Sequence, residues 1–467
     1  MANGMQRKPH GLWPGPVTAE VISQGQRLSE LAWSRDGRHL IWHVESSGEG
    51  SLVCCTLDGD APRQLTVGQS VRARVGYGGG HFAVGREHVV FCGEGGRLYR
   101  QALAGGTARP ITPPGIAAAS PALSPDDAWV LYVFEVEGQN GLAIVDAEGR
   151  GWPRKIAEGQ DFYMQPTWHP GGREIAWVSW DHPAMPWDGS SLYTLDLQPQ
   201  EGGFTAGVPQ RQAGGAEESI VQPQYAPDGS ALAYASDRSD WYHLHVAPLD
   251  GTGLPGKQLT LDSAEYGGPA WQQGMRWFDW LPESAGLIAT RNEVGRCTLM
   301  RVSYPEGTVT PLASVSEHYS TAVRPAVNPV TGAVAALVSH EALPPRVVVV
   351  AEAPTRSAPQ VLHRSAAEFL APEDVSPLEA VQWPSADGTA VHGLYAAPRH
   401  PRFFAEGAPP PIVNVHGGPT SQVVTGWRPE VQFFTGRGYA VLELNHRGSS
   451  GYGRQYRNLL REQWGIV

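Results

Sequence analysis

At 467 residues the chain is longer than one compact domain of usual size, and its 56 glycines and 40 prolines favour short strands and tight turns over a helical protein. A net charge of −11, with no basic block, excludes the footprint expected of a nucleic-acid or anionic-membrane binder. Four cysteines in a chain of this size do not read as a disulfide framework, and reduced thiols are expected at Cys54, Cys55, Cys92 and Cys297.

The first segment, residues 1–24, carries Arg7 and Lys8 but is broken by Pro9, Pro14 and Pro16 before any apolar run develops. It does not read as a secretory signal, and no stretch offers the ~18 apolar residues of a membrane span. A cytoplasmic location is the expectation, with residues 1–24 lying against the C-terminal domain.

From residue 25 a unit recurs: an aromatic or apolar residue, a turn built from Pro, Asp and Gly, then a short β-rich run. It occurs as Trp33-Ser34-Arg35-Asp36-Gly37 before Leu40-Ile41-Trp42 and as Leu123-Ser124-Pro125-Asp126 before Trp129-Val130-Leu131. Trp168-His169-Pro170-Gly171, Tyr225-Ala226-Pro227-Asp228, Trp280-Leu281-Pro282-Glu283 and Val327-Asn328-Pro329 continue it, and Gly85-Arg86-Glu87-His88 fills the gap between the first two copies. The turn prolines at 125, 170, 227, 282 and 329 are 45, 57, 55 and 47 residues apart. A period of that size with several strands per unit predicts a mostly β, seven-bladed β-propeller over 25–352, because no blade can bury both faces alone. A β-sandwich would place turns every ~8–12 residues without a super-period. Within this array His243 and His245 are expected to face the surface, and Gly251 to Gly256, although it fits G-x-G-x-x-G, reads as a turn because Pro255 interrupts it.

Residues 353–380, rich in Pro, Ala, Ser and charge, read as a hinge. Beyond it, residues 381–467 follow a different grammar: a hairpin around Asp387-Gly388, a buried strand Ile412-Val413-Asn414-Val415, a helix near Pro429 to Arg437, and a second buried strand Tyr439 to Asn445. A further helix is expected from Arg454 to Trp464. Strand, helix, strand is the pattern of an α/β layer. Each strand ends in a glycine-rich loop, His416-Gly417-Gly418-Pro419 and Asn445-His446-Arg447-Gly448-Ser449-Ser450-Gly451-Tyr452-Gly453. Loops at the C-terminal ends of parallel strands are where such sheets place their chemistry, and glycines let backbone N–H groups approach a substrate oxygen.

The HGGP loop followed by N-x-R-G-S-x-G-Y-G, behind a propeller, resembles the opening of the hydrolase domain of the prolyl oligopeptidase family, in its acylaminoacyl-peptidase and dipeptidyl-peptidase branch. Ser236 to Leu244 is similar to a blade motif of that family, and Trp180 to Asp188 to an insert of its bacterial members. The resemblance implies a seven-bladed β-propeller followed by the N-terminal portion of an α/β-hydrolase domain, and a serine peptidase that hydrolyses short peptides through an acyl-enzyme, the propeller acting as a size filter. It implies an oxyanion-hole donor at the backbone N–H of Gly418, with His416, Gly417, Pro419, Asn445, Arg447, Gly448, Tyr452 and Gly453 shaping the site. For Arg447 a loop-stabilising ion pair, and for His416 an orienting role, are the expected functions. No G-x-S-x-G occurs in the 467 residues, so the triad is expected outside them and this chain alone is expected to be inactive.

Short peptides are the partners implied, with self-association left open and no nucleic acid, membrane, cofactor or metal. Two other readings compete, a non-catalytic propeller scaffold and an esterase. The first leaves the HGGP loop unexplained, and the second the propeller.

Overall fold

A computed structural model describes residues 5–57, 61–250, 256–351, 358–418 and 420–466. The chain is mostly β. Six sheets follow one another from residue 27 to 364: three of four strands (27–64, 82–110, 117–157), one of five (162–215), another of four (220–258), and one of eight (278–364). The eight-stranded sheet consists of two successive antiparallel meanders joined through a single parallel pairing, Cys297 with Thr321.

The first strands of the meanders pack against one another in sequence. Arg27–Trp33 meets Phe82–Val84, which meets Ala117–Leu123, then Phe162–Trp168, then Ile220–Tyr225. Gln222 Nε2 donates to the Phe278 carbonyl at 2.6 Å, carrying the series to Phe278–Trp280. That strand packs on Thr321–Val327, which returns to Arg27–Trp33 and closes a ring.

The tryptophans of the repeated turns supply part of the closure. Trp33 Nε1 donates to the Ala326 carbonyl at 3.0 Å, Trp168 Nε1 to Ala122 at 3.0 Å, and Trp280 Nε1 to Gln224 at 3.2 Å. Each bond ties one meander to the first strand of the meander before it. The turns themselves are built alike: Ser34 Oγ donates to Asp36 and accepts the His39 N–H, and Ser124 Oγ does the same with Asp126 and Trp129.

Because every meander is sandwiched between two others, its inner strands are buried on both faces. Leu40, Trp42 and Val44 pack with Ala335, Leu337 and Val347, while the intervening Ile41 packs with Phe82, Val89 and Phe91. The same geometry corrects the expectation for His243 and His245. Both are buried rather than surface-facing, His243 bonded to Thr260 Oγ1 and His245 to Arg238, since alternate residues of such a strand all meet a neighbouring sheet. Cys54, Cys55, Cys92 and Cys297 are free and buried.

One boundary differs from the sequence reading. Gln360–Arg364, assigned there to the hinge, pairs with Leu343–Val350 and belongs to the ring. Most of the Gly251 to Gly256 turn lies outside the described residues.

A separate four-stranded sheet follows, in the order β1 (Glu379–Pro384), β2 (Ala390–Ala396), β4 (Ala440–Asn445), β3 (Pro411–Val415). Strands β3 and β4 are parallel, and helix α1 (Pro429–Thr435) crosses between them, packing Val431 with Val441 and Leu394. Helix α2 spans Gly453–Asn458, shorter than expected, and turns replace it beyond Leu459. The N-terminal segment lies beside this sheet: Gln6–Arg7 forms a separate two-stranded pairing with Phe403–Phe404, and buried Trp13 packs edge-on against His400. No helix among the described residues is long and apolar enough to cross a membrane.

Candidate active site

Strand β3 ends at Val415, and the next three residues turn out of the sheet. Gly418 takes φ +57°, a conformation that disfavours side chains, although open space surrounds the position a Cβ would take. Its carbonyl accepts the Ser421 N–H at 2.8 Å. Pro419 lies outside the described residues.

His416 orients the peptide that carries the Gly418 N–H. Its Nδ1 lies 3.2 Å from the Gly417 carbonyl and its Nε2 lies 2.8 Å from Ser449 Oγ. A carbonyl can only accept, so Nδ1 carries the proton, and Nε2 then accepts from the Ser449 hydroxyl. Burial lowers the pKa of His416, which favours this neutral form. The Gly417 carbonyl and the Gly418 N–H share one planar peptide, so the imidazole that holds the first also aims the second. His446 stacks on His416 with ring centres 4.5 Å apart. Ser449 is fully buried, which makes it an anchor of the two loops and not an accessible nucleophile.

The second loop is braced from below. Asn445 accepts the Val423 N–H at 2.8 Å and donates to the Val423 carbonyl and to the Tyr452 hydroxyl at 3.0 and 2.9 Å. Arg447 pairs with Asp387 at 2.5 Å, and hydrogen bonds from the Thr389 N–H and from Arg447 hold the Asp387 carboxyl down at about 2. Gly448 and Gly453 adopt φ +95° and +85°, and a Cβ at Gly453 would meet Asp240 of the ring at 2.8 Å.

The structure thus brings His416, Gly418 and Arg447 to one groove, together with Val415, His446 and Trp464, and places Asn445 and Tyr452 beneath it. The residues lining this groove come from the four-stranded sheet, its loops and the turns that follow α2.

The ring is docked beside it by groups the sequence reading passed over. Arg454 and Arg457 of α2 both reach the fully buried carboxylate of Asp237, Arg454 at 2.8 Å. Their guanidinium groups also donate to the Asp188 and Trp187 carbonyls at 2.6 and 3.1 Å. Glu265 Oε1 accepts the Gly453 N–H. Nearer the HGGP loop, Asn292 donates to Gln422 at 2.6 Å and the Thr425 N–H to the Gly295 carbonyl at 2.9 Å. Ser236-Asp237-Arg238, which stood out only as a family-like motif, supplies the central carboxylate. Its partner lies 220 positions away, and no local pattern announces such a contact. No cluster of His, Cys, Asp or Glu suited to a metal is present among the described residues.

Comparison with known proteins gives these features relatives. Residues 426–467 match the family described as "Prolyl oligopeptidase family". A crystal structure of puromycin hydrolase superposes with a TM-score of 0.88 at 29% identity, covering 99% of this chain and 73% of that one. A puromycin-hydrolyzing peptidase of Mycobacterium tuberculosis gives 0.86 at 28% identity, over 99% of this chain and 72% of the other. Among curated sequences, an uncharacterized peptidase of Bacillus subtilis is 34% identical over 98 residues, 21% of this chain and 15% of that protein. Dipeptidyl-peptidase 5 of Porphyromonas gingivalis is 21% identical over 96% of this chain and 70% of its own length. The match to the Bacillus protein therefore spans well under two thirds of that relative.

Proposed function

We propose that this chain is a member of the prolyl oligopeptidase family and forms the gating ring and the opening part of the hydrolase domain of a serine peptidase acting on short peptides. The ring is read as a seven-bladed β-propeller, the eight-stranded sheet counting as two blades, with the hydrolase portion beginning near Glu379. The propeller would admit short, flexible peptides and exclude folded proteins.

In this reading a serine supplied from outside the 467 residues attacks the peptide carbonyl, and its proton passes to a histidine, which returns it to the leaving amine. The Gly418 N–H meets the oxyanion that forms. Such a donor contributes roughly 3–4 kcal/mol of transition-state stabilisation when held in place beforehand. The observation that carries the reading is the His416 arrangement: one imidazole, fixed by Ser449, orients the Gly417–Gly418 peptide at the C-terminal end of a parallel strand. A buried ring-to-sheet join adds support, because it keeps that loop beside the ring.

The test uses the full-length gene product with chromogenic aminoacyl and dipeptidyl anilides and with simple esters. Hydrolysis of anilides is expected. Ester hydrolysis without anilide hydrolysis would favour an esterase, and no hydrolysis of either would favour a scaffold.

A further inference from the structure

Open space surrounds the position a Cβ would take at Gly418, so its placement is set by the anchors on either side of it. His416 is the anchor before it. The anchor after it is the stretch 421–425, which begins where the Ser421 N–H meets the Gly418 carbonyl at 2.8 Å.

That stretch lies between the ring and the second loop. Its Ser421 carbonyl accepts the Ser450 N–H at 2.9 Å. From the ring side, Asn292 Nδ2 donates to Gln422 Oε1 at 2.6 Å and the Gly295 carbonyl accepts the Thr425 N–H at 2.9 Å. Thr425 Oγ1 donates to the Ser320 carbonyl at 2.9 Å, and Thr321 Oγ1 donates to the Thr425 carbonyl.

The ring element at the centre of these contacts is the hairpin of strands Gly286–Glu293 and Arg296–Ser303. Its turn residues, Val294 and Gly295, take φ +51° and +85°. Two left-handed residues suit the twist of a hairpin, but a β-branched side chain is an outlier in that conformation. Such outliers persist where the surroundings over-determine them. Here a Cβ at Gly295 would lie 3.3 Å from the Val423 carbonyl and 3.5 Å from the Leu394 side chain, so the tip is pressed onto the hydrolase portion. Asn292 Oδ1 accepts the Gly295 N–H at 3.2 Å, and the same amide therefore shapes the tip with its oxygen and reaches Gln422 with its nitrogen. Its backbone is bridged to that of Glu265, whose carboxylate accepts the Gly453 N–H. Two paired ring residues thus hold one loop each.

We propose that Asn292 is a positioning residue for the reaction at Gly418: through Gln422 it fixes residues 421–425, and these fix Gly418, whose N–H meets the oxyanion. The ring then serves the chemical step as well as the admission of substrate. The proposal rests on the peptidase reading, since the step it serves is the one assigned there to Gly418. A donor that drifts from its place loses transition-state stabilisation while the substrate still binds, so the effect belongs in kcat.

Two measurements test it. In the 467-residue chain, hydrogen exchange at the Ser421 N–H reports the order of the loop without turnover. Asn292→Ala should speed that exchange about tenfold and leave the Gly453 N–H, held by Glu265, unchanged. In the full-length gene product the same variant should lower kcat on a chromogenic dipeptidyl anilide about tenfold, with KM within about twofold and the melting temperature within a few degrees. Gln422→Ala removes the same contact from the other side and takes the place of Asn292→Ala should that variant fail to fold. The double variant should be no slower than either single one, because the two side chains act as a unit. Unchanged Ser421 exchange, unchanged kcat in an active enzyme, a loss confined to KM, or additive losses would each overturn the proposal. An inactive wild type whose Ser421 exchange still responds to Asn292→Ala would sink the peptidase reading alone and leave Asn292 as the holder of the loop.

Discussion

Glu265, fully buried in the ring, accepts the backbone N–H of Gly453 at 3.1 Å across the join between ring and hydrolase sheet. Its other oxygen accepts the Tyr242 N–H at 2.6 Å. Burial pushes this carboxyl up to about 7, against partial relief from those N–H groups and Arg457. A carboxyl with a raised value binds its proton more tightly in the folded chain than in the unfolded one. Its contribution to stability is thus full below about 4.5 and falls as pH rises through 7. Denaturant midpoints for the wild type should decline from pH 5 to pH 8 relative to Glu265→Gln, which keeps a neutral side chain throughout. Parallel pH profiles would contradict this.

Arg457 and Asp237 form the deepest ion pair of the join, with side chains 2% and 0% exposed. Removing Arg457 leaves the buried Asp237 carboxylate with Arg454 as its remaining cation, so the loss approaches the about 3–5 kcal/mol of an unpaired buried charge without reaching it. Arg457→Met should therefore lower the unfolding free energy by several kcal/mol in urea titrations. A single variant as stable as the wild type would show the pair to be dispensable.

Trp33 closes the ring through its bond to the Ala326 carbonyl. Trp33→Phe keeps an aromatic ring but leaves that carbonyl without its donor, at a cost of about 1–3 kcal/mol. Urea unfolding should show a lower midpoint with an unchanged slope. No shift would mean that packing alone closes the ring.

Ser449 fixes His416, and His416 fixes the Gly417–Gly418 peptide. Ser449→Ala in the full-length enzyme should lower kcat more than it raises KM while leaving the melting temperature within a few degrees. A change confined to KM would place His416 in substrate binding instead.

The turn repeat was legible in the sequence because Trp33, Ser34 and Asp36 act locally and recur, and their spacing reports one structural unit. The HGGP loop was legible for the same reason: Gly417 and Gly418 follow directly on an apolar strand. His243 and His245 were misplaced because alternation along a strand signals one covered face, whereas here both faces meet a neighbouring sheet. Arg454 and Arg457 carry no local signal in the sequence. Their importance depends on Asp237, which the chain brings to them only after the ring has closed. Helix α2 ends early because Leu459 and the residues after it turn away, which helical spacing from Arg454 to Trp464 did not reveal.

The central claim is that the Gly418 loop stabilises the reacting carbonyl of a peptide. Its most direct test is the turnover of a chromogenic peptide by the full-length gene product and by its Gly418→Val variant, with folding checked by thermal melting. The variant should melt like the wild type and lose at least a hundredfold in kcat, since a β-branched residue resists φ +57° and shifts the donor. A folded Gly418→Val enzyme that keeps wild-type turnover would contradict the claim.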